Sequence, residues 1–290
     1  MTLGADISKW QGRVHWGRLA ETDIRFLLMK ATQGTRVDPR FLENWRDCAI
    51  RAPKVIRGAY HLIELDDPVE PQVRAFLSAV PGEGWPKGTI PPVLDVETSK
   101  IEEVKGNPAE DQEKILEWCS RVERETGVTP ILYISPRGLK KLEGHTQGFE
   151  RYPLWHVQYA EGLPRKAVPT PPPWKNWTFW QFTSKGDGQE LGFESKHLDM
   201  DYFNGTPAEL RLLASGGSGE QGLDVGGAIA YNASRPYSSE DWAMVLKEVG
   251  GSPWDAPGLV RKIIAWQSRQ DLKPDGQVGP LTLGRMRQSS

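Results

Sequence analysis

Short apolar runs alternate with amphipathic segments over the first two thirds of the chain. Several of the runs are almost continuously apolar, which is typical of strands covered on both faces. They predict strands at Leu3–Ser8, Phe26–Lys30, Val55–His61, Pro92–Glu97, Ile131–Ile134, Leu154–Tyr159, Trp177–Phe182 and His197–Asp201. The amphipathic segments between the earlier runs predict helices at Pro39–Arg51, Val69–Val80 and Ala109–Thr126.

Strands and helices that alternate along one chain predict a mostly parallel sheet of the α/β class. Eight strands within roughly 210 residues suit a closed, TIM-like β/α barrel. Loops separate the later strands, and Val168–Trp174 contains four prolines and cannot be helical. The second half of the barrel is therefore expected to be irregular.

The composition changes after the barrel. Residues 214–227 read ASGGSGEQGLDVGG, which is typical of a flexible linker. We therefore predict a catalytic barrel at 1–213, a linker at 214–228 and a small all-α domain at 229–290. Three helices are predicted in that domain, near Ser239–Val249, Pro257–Gln270 and Pro280–Arg287.

Composition narrows the class of protein. Hydrophobic residues form 38% and charged residues 26% of the 290 residues, which suits a globular protein with a substantial core. The net charge of −2 and the lack of a nucleic-acid motif give no case for binding nucleic acid. No apolar run approaches ~18 residues, so no membrane span is expected. Twelve tryptophans include candidates for stacking on sugar rings, although most are expected in the core.

The chain has two cysteines, Cys48 and Cys119. These are too few for a disulfide framework or a zinc site, and we expect two buried free thiols. No cofactor or metal is predicted, and a monomer is expected.

The N-terminus lacks the basic and apolar regions of a signal peptide. We therefore expect synthesis in the cytoplasm, followed by release or delivery if the target lies outside the membrane.

A pair of carboxylates ends the fourth predicted strand. In the run IPPVLDVET, Asp95 and Glu97 are two residues apart and therefore face the same side of the strand. Asp6 ends the first strand and Asp199 lies in the last, and these strands are neighbours in a closed barrel. Four acids are thus expected at one barrel mouth. Adjacent carboxylates raise each other's pKa, which permits the division into acid and carboxylate that glycoside hydrolysis requires. Asp201 is expected to be a strand-end or turn residue.

Motifs along residues 4 to 213 resemble, in order, those of glycoside hydrolase family 25, the Chalaropsis-type lysozymes. The motifs are GADISKWQGRVHW, KATQGTRVDPRF, RGAYHL, PVLDVE, LYIS, LWHVQY, WTFWQF and HLDMDYFNG. The chain has Gln33 where the family usually has Glu, and Leu62 where it usually has an aromatic residue. The resemblance implies an irregular (β/α)5(β)3 barrel.

The resemblance also implies an activity, hydrolysis of the β-1,4 bond between N-acetylmuramic acid and N-acetylglucosamine in bacterial peptidoglycan. Glu97 would be the general acid, and Asp95 would stabilise the transition state or orient the substrate N-acetyl group. Asp6 and Asp199 would tune the charge and hold water or sugar hydroxyls. A direct nucleophile, an inverting water and a substrate-assisted route all stay open.

Further candidates for substrate binding lie at or near strand ends. These are Tyr60, Tyr133, Trp155 and Gln181, although Tyr133 and Trp155 could equally be barrel packing. His61 follows Tyr60 and should point to the other side of the strand as a structural histidine.

The C-terminal segment AWQSRQDLKPDGQVGPLTLGRM resembles the common helical peptidoglycan-binding domain through Trp266, Gln267, Asp275-Gly276 and Val278-Gly279-Pro280. Such a domain would tether the enzyme to a solid substrate. A phage endolysin, a delivered effector and an autolysin all fit this organisation, and the endolysin is favoured. Two alternatives remain: a non-catalytic binder on the same scaffold, and a glycosidase for another N-acetylated polymer such as chitin.

Overall fold

The computed structural model describes residues 1–82, 84–97, 107–159, 168–215, 231–232, 234–250, 256–270, 272 and 276–289. The chain divides into two compact units, Met1–Gly219 and Glu220–Ser290. Most of the predicted linker, residues 216–228, lies outside the described residues.

Nine strands occur in the described residues of the first unit. They are β1 (Thr2–Ile7), β2 (Phe26–Gln33), β3 (Arg36–Val37), β4 (Ile56–Leu62), β5 (Val93–Val96), β6 (Ile131–Ile134), β7 (Leu154–Val157), β8 (Phe179–Asp187) and β9 (His197–Phe203). The helices are α1 (Trp16–Ala20), α2 (Phe41–Arg51), α3 (Val69–Ala79), α4 (Pro108–Thr126), α5 (Pro136–Lys141) and α6 (Pro207–Ala214).

Eight of these strands form a closed barrel. The strand order is β1-β9-β8-β7-β6-β5-β4-β2, and the pairing of β1 with β2 closes the ring, while the short β3 pairs only with the edge of β2. All barrel pairs are parallel except those of β9, which runs antiparallel to both β8 and β1. The predicted closed barrel is confirmed. The described residues between β7 and β9 contain no helix, in keeping with the irregular second half.

Side chains that alternate along the strands build two cores. The inner core fills the barrel with aromatic rings, such as Phe26 against Phe179 at 5.1 Å between centroids. The outer core packs the strands against the surrounding helices. His61 belongs to this outer layer, where it bonds to Thr32 and Gln72 and stacks on Trp118. Burial lowers the pKa of His61 to about 3, so it is a neutral structural histidine, as predicted.

The two cysteines lie in the helices of the outer core. Cys48 of α2 and Cys119 of α4 are both free and buried, as predicted. Burial is the main cause that raises the pKa of the Cys48 thiol to about 12. Both side chains therefore act as small apolar groups in the packing.

The strands β8 and β9 continue beyond the barrel as a two-stranded arm. The last pairing of β8 with β7 joins Gln181 to Val157, yet β8 runs on to Asp187. There it pairs with the beginning of β9. We call residues 183–187 and 197–198 the arm. Its tip is fixed to the loop after β1, because the Ser195 amide donates to the Gln11 carbonyl at 3.2 Å.

In the second unit Tyr231 and Asn232 are helical, and three further helices follow in the described residues, α7 (Ser239–Val249), α8 (Ala256–Arg269) and α9 (Pro280–Ser289). They lie where the sequence predicts them and share an apolar core that includes Trp266. The Gln267 side chain accepts from the Gly276 amide at 2.9 Å and so fixes the turn before α9. Asp275 lies outside the described residues. Within the described ranges, no helix combines the length and the apolar character that a bilayer crossing requires.

Candidate active site

The four predicted acids meet at the mouth formed by the carboxyl-terminal ends of the parallel strands. Asp6 lies on β1, Asp95 lies on β5, and Glu97 follows β5 directly. Because β9 runs in the opposite direction, its first residues reach the same end, and Asp199 pairs directly with Asp6. The charges of Asp199 and Asp95 both act on Asp6, and the charge of Glu97 acts on Asp95 and Asp199. The predicted convergence is therefore present in the structure.

A hydrogen-bond chain through Gln181 links the acids. The Gln181 Nε2 donates to Asp6 Oδ2 at 2.7 Å, and its Oε1 accepts from the Tyr159 hydroxyl at 3.1 Å. The Tyr133 hydroxyl lies 3.3 Å from both Gln181 Oε1 and Glu97 Oε1. Because a hydroxyl has one proton, Tyr133 donates to one of these oxygens at a time. Tyr133 and Gln181 thus connect Asp6 with Glu97.

Burial differs sharply between the two acids of the predicted pair. Asp95 is 6% exposed, and its Oδ1 is buried without a hydrogen-bond partner among the described residues. Glu97 is exposed. One carboxyl group therefore lies in the wall of the barrel while its neighbour faces the open mouth.

The buried acids all have raised pKa values. Burial is the largest cause for Asp6 and Asp95, with neighbouring negative charges adding to it. Burial and the charge of Glu97 raise the pKa of Asp199 to about 6. The nearby ammonium of Lys30 acts in the opposite direction on Asp95 and favours its ionised form. Burial and mutual repulsion therefore both favour the protonated forms of these acids.

The expectation for Asp201 was wrong. Asp201 lies within β9, is fully buried, and its Oδ1 accepts from the Trp155 indole at 2.8 Å. Burial is the largest cause that raises the pKa of this carboxyl, and the charge of Asp199 adds to it. Asp201 is thus a fifth acid, placed beneath the mouth.

The four predicted substrate-binding residues line the inner wall of the barrel. Tyr60, Tyr133, Trp155 and Gln181 are all buried. Trp155 is 2% exposed and its only donor is used by Asp201, so its position suits support of that carboxyl better than stacking on a sugar. Tyr60 packs edge-on against Trp155 at 6.1 Å. Tyr133 and Gln181 contact the acids, as described above.

Two exposed aromatic residues near the mouth were not among the predicted substrate-binding residues. Tyr159 is 57% exposed and bonds to Gln181, and Trp10 is 73% exposed with the Lys9 ammonium 4.8 Å from its ring centroid. Both lie just past the carboxyl-terminal ends of their strands, β7 and β1. Their position after these strand ends could have predicted a place in the site, because loops at the carboxyl-terminal ends of the strands form the mouth of a barrel.

The two departures from the family pattern lie together beside the mouth. Gln33 and Leu62 are paired in neighbouring strands. Gln33 donates from Nε2 to Glu64 Oε1 at 2.7 Å, and Arg36 pairs with the same carboxylate at 3.3 Å. A carboxylate is therefore present next to the amide of Gln33, supplied by the loop after β4. Among the described residues, no group of three or more His, Cys, Asp or Glu side chains is arranged to hold a metal ion.

Comparison with known proteins identifies the family. The family model "Glycosyl hydrolases family 25" matches residues 5–191, which include Asp6, Asp95 and Glu97. The chain belongs to glycosyl hydrolases family 25. Members of this family are lysozymes and muramidases, and the chain is accordingly a glycoside hydrolase. Asp199 and Asp201 lie beyond the matched range, so their place in the site rests on the closure of the barrel by β9.

The similarity to relatives covers the barrel of this family 25 enzyme. The chain is 32% identical over 220 residues to the uncharacterized protein YegX of Escherichia coli K12, covering 73% of each chain. It is 30% identical over 218 residues to Lysozyme M1 of Streptomyces globisporus, covering 73% of this chain and 71% of that one. The solved muramidase of Acremonium alcalophilum has a TM-score of 0.64 at 28% identity, over 74% of this chain and 100% of that one.

Proposed function

We propose that the chain is a muramidase that hydrolyses the β-1,4 bond between N-acetylmuramic acid and N-acetylglucosamine in bacterial peptidoglycan. The observation that carries the proposal is the pair at the end of β5, where exposed Glu97 lies beside buried Asp95, together with Asp6 and Asp199, which pair with each other on β1 and β9 at the same mouth. Glycoside hydrolysis requires an acid that reaches the leaving oxygen and a carboxylate that supports positive charge at the anomeric carbon.

The two carboxyl groups differ in a way that suits these roles. Glu97 is the general acid, because its exposed side chain can reach a glycosidic oxygen bound in the mouth. Asp95 stabilises the transition state or orients the substrate N-acetyl group, and its carboxyl group is 6% exposed in the wall of the mouth, beside Glu97. Asp6 and Asp199 tune the charge of the mouth and hold water or sugar hydroxyls.

Replacing the proposed acid tests this assignment. Glu97→Gln keeps the size of the side chain but removes the proton donor, so clearing of a wall suspension should fall at least ~10²-fold. Folding should be unchanged because the side chain is exposed. Glu113→Gln on the exposed face of α4 is the matched control and should clear at the wild-type rate. Near-normal clearing by Glu97→Gln would refute the role.

The substrate is tested by digestion of purified peptidoglycan and of chitin, followed by identification of the new reducing ends. Muramic acid at the reducing end supports the muramidase. Release of chitin fragments supports the barrel glycosidase with another substrate, and no product from either polymer supports the non-catalytic binder.

We further propose that the second unit binds the wall and that the enzyme acts as an endolysin or another delivered wall-lytic protein. The proposal draws on the likeness of residues around Trp266 and Gln267 to peptidoglycan-binding domains. Trp266 itself is 3% exposed, so wall contacts would come from the surface around it.

A further inference from the structure

A small pocket lies on the arm next to the mouth. It has a volume of about 330 Å³ and is lined by Tyr159, Phe182, Thr183, Ser184 and Lys185. This volume is at the lower end of the roughly 300–1,000 Å³ that small-molecule sites span. It would hold a substituent of a sugar rather than a whole disaccharide.

The pocket shares a wall with the acid cluster. The Tyr159 hydroxyl donates to Gln181, whose amide donates to Asp6. Burial is the main cause that raises the pKa of Tyr159 to about 12, and the charges of Asp199, Asp6 and Glu97 add to it. A sugar bound over the acids therefore has a neighbouring cavity into which one of its branches can extend.

The pocket is also built on a rigid support. Phe182 stacks on Tyr202 of β9 with ring centroids 4.5 Å apart. Thr183 pairs with Met200, and the Lys185 amide donates to Thr183 Oγ1 at 3.1 Å. The strand pairing thus fixes the backbone that carries the Lys185 side chain.

Lys185 brings a positive charge to the pocket. Its side chain is exposed and forms no salt bridge with the described residues. Thr183 and Ser184 line the same space, and the Ser184 side chain forms a hydrogen bond with Tyr159. An ammonium group with nearby hydroxyl donors is a donor set that suits a carboxylate, and charge-assisted hydrogen bonds of this kind are the strong ones.

The proposed substrate offers such a carboxylate. Muramic acid carries a lactyl branch that ends in a free carboxyl group or is joined to a stem peptide with carboxyl groups of its own, whereas chitin has no acidic branch. We propose that the arm pocket, through Lys185, receives a carboxylate on the muramic acid branch and so favours peptidoglycan over neutral N-acetylated polymers. The inference rests on the proposed muramidase function.

The test compares Lys185→Gln and Lys185→Glu with wild-type enzyme. The substrates are intact peptidoglycan, peptidoglycan freed of stem peptides by an amidase, and the amidase product with its lactyl carboxyl groups converted to neutral methylamides. We expect Lys185→Gln to raise KM roughly 5–20-fold on an acidic substrate, with a larger rise for Lys185→Glu and little change in kcat. Lys196→Gln, an exposed lysine beside the arm, is the matched control and should behave as wild type.

The three substrates distinguish the two possible sources of the carboxylate. A rise in KM on the amidase product assigns the lactyl carboxyl group, and a rise confined to intact peptidoglycan assigns the stem peptide. Equal KM values for wild type and Lys185→Gln on both acidic substrates would overturn the inference. So would an equal rise on the methylamide, or a shifted pH profile without a change in KM, which would mean that Lys185 acts on the catalytic acids. Failure of the muramidase proposal is distinct, because wild-type enzyme would then release no muramic acid ends.

Discussion

At the scale of single residues, the raised pKa of Asp199 makes the stability of the fold depend on pH. Its folded pKa of about 6 lies above the value of roughly 3.9 of an unfolded aspartate. Between these two values the folded protein binds the proton more tightly than the unfolded chain does. The stability that Asp199 contributes is therefore complete below about pH 4 and is lost as the pH rises to about 6.

Asp199→Asn should escape this loss, because an amide does not ionise. The difference in unfolding free energy between the variant and wild type should therefore shift in favour of the variant by on the order of 1–3 kcal/mol as the pH rises from 4 to 7. Urea denaturation at the two pH values measures the gain, with Asp66→Asn on an exposed loop as the control. A difference between Asp199→Asn and wild type that does not change with pH would contradict the raised pKa.

The residues of the site were predictable to the extent that strand alternation decides their position. Asp6, Asp95 and Glu97 were found because each lies at a strand end, and Asp199 was found because closure of the barrel makes the last strand the neighbour of the first. Asp201 was misplaced because alternation puts it on the same face as Asp199 but does not give the direction of β9. In a parallel strand Asp201 would project from the mouth, whereas in the antiparallel strand it lies deeper in the barrel.

At the scale of elements, the arm is the feature that the hydrophobic pattern did not reveal. The prediction ended the strand at Phe182, yet β8 continues to Asp187. The added residues are largely polar and half-buried or exposed, so no apolar run marks them. They are in strand conformation because they pair with β9, which is a long-range contact that a local pattern does not encode.

Gly186→Ala should disrupt the arm. A Cβ at Gly186 would lie 2.9 Å from the Leu198 carbonyl oxygen and 2.5 Å from Met200 Cγ, so the two strands would have to separate. We expect a loss of about 1–3 kcal/mol of unfolding free energy, together with a higher KM for peptidoglycan.

Gly284→Ala is the matched control for this substitution. It lies within α9 with no atom within 4 Å of the added Cβ, and it should stabilise the second unit by up to about 1 kcal/mol. Thermal unfolding of both variants measures the contrast. A Gly186→Ala protein as stable as wild type would show that the arm tolerates the added methyl group.

At the scale of the whole molecule, the chain divides into two compact units. The proposed catalytic residues all belong to the first unit, which ends at Gly219. If the second unit binds the wall, a chain that ends at Gly219 should cleave soluble glycan fragments at the full rate but clear insoluble walls more slowly, because tethering raises local concentration. A pull-down of both chains with purified walls measures the affinity directly. Equal retention of the two chains would refute the tether.

The reversed direction of β9 has a consequence for how such enzymes can diversify. One hairpin supplies Gln181, Asp199 and Asp201 on its barrel side and Lys185 on its outer extension. Asp95 and Glu97 lie at the end of β5. This strand pairs with β4 and β6, and not with β8 or β9. A lineage could therefore exchange the tip of this hairpin as a module and acquire new glycans without rebuilding the chemistry of bond cleavage.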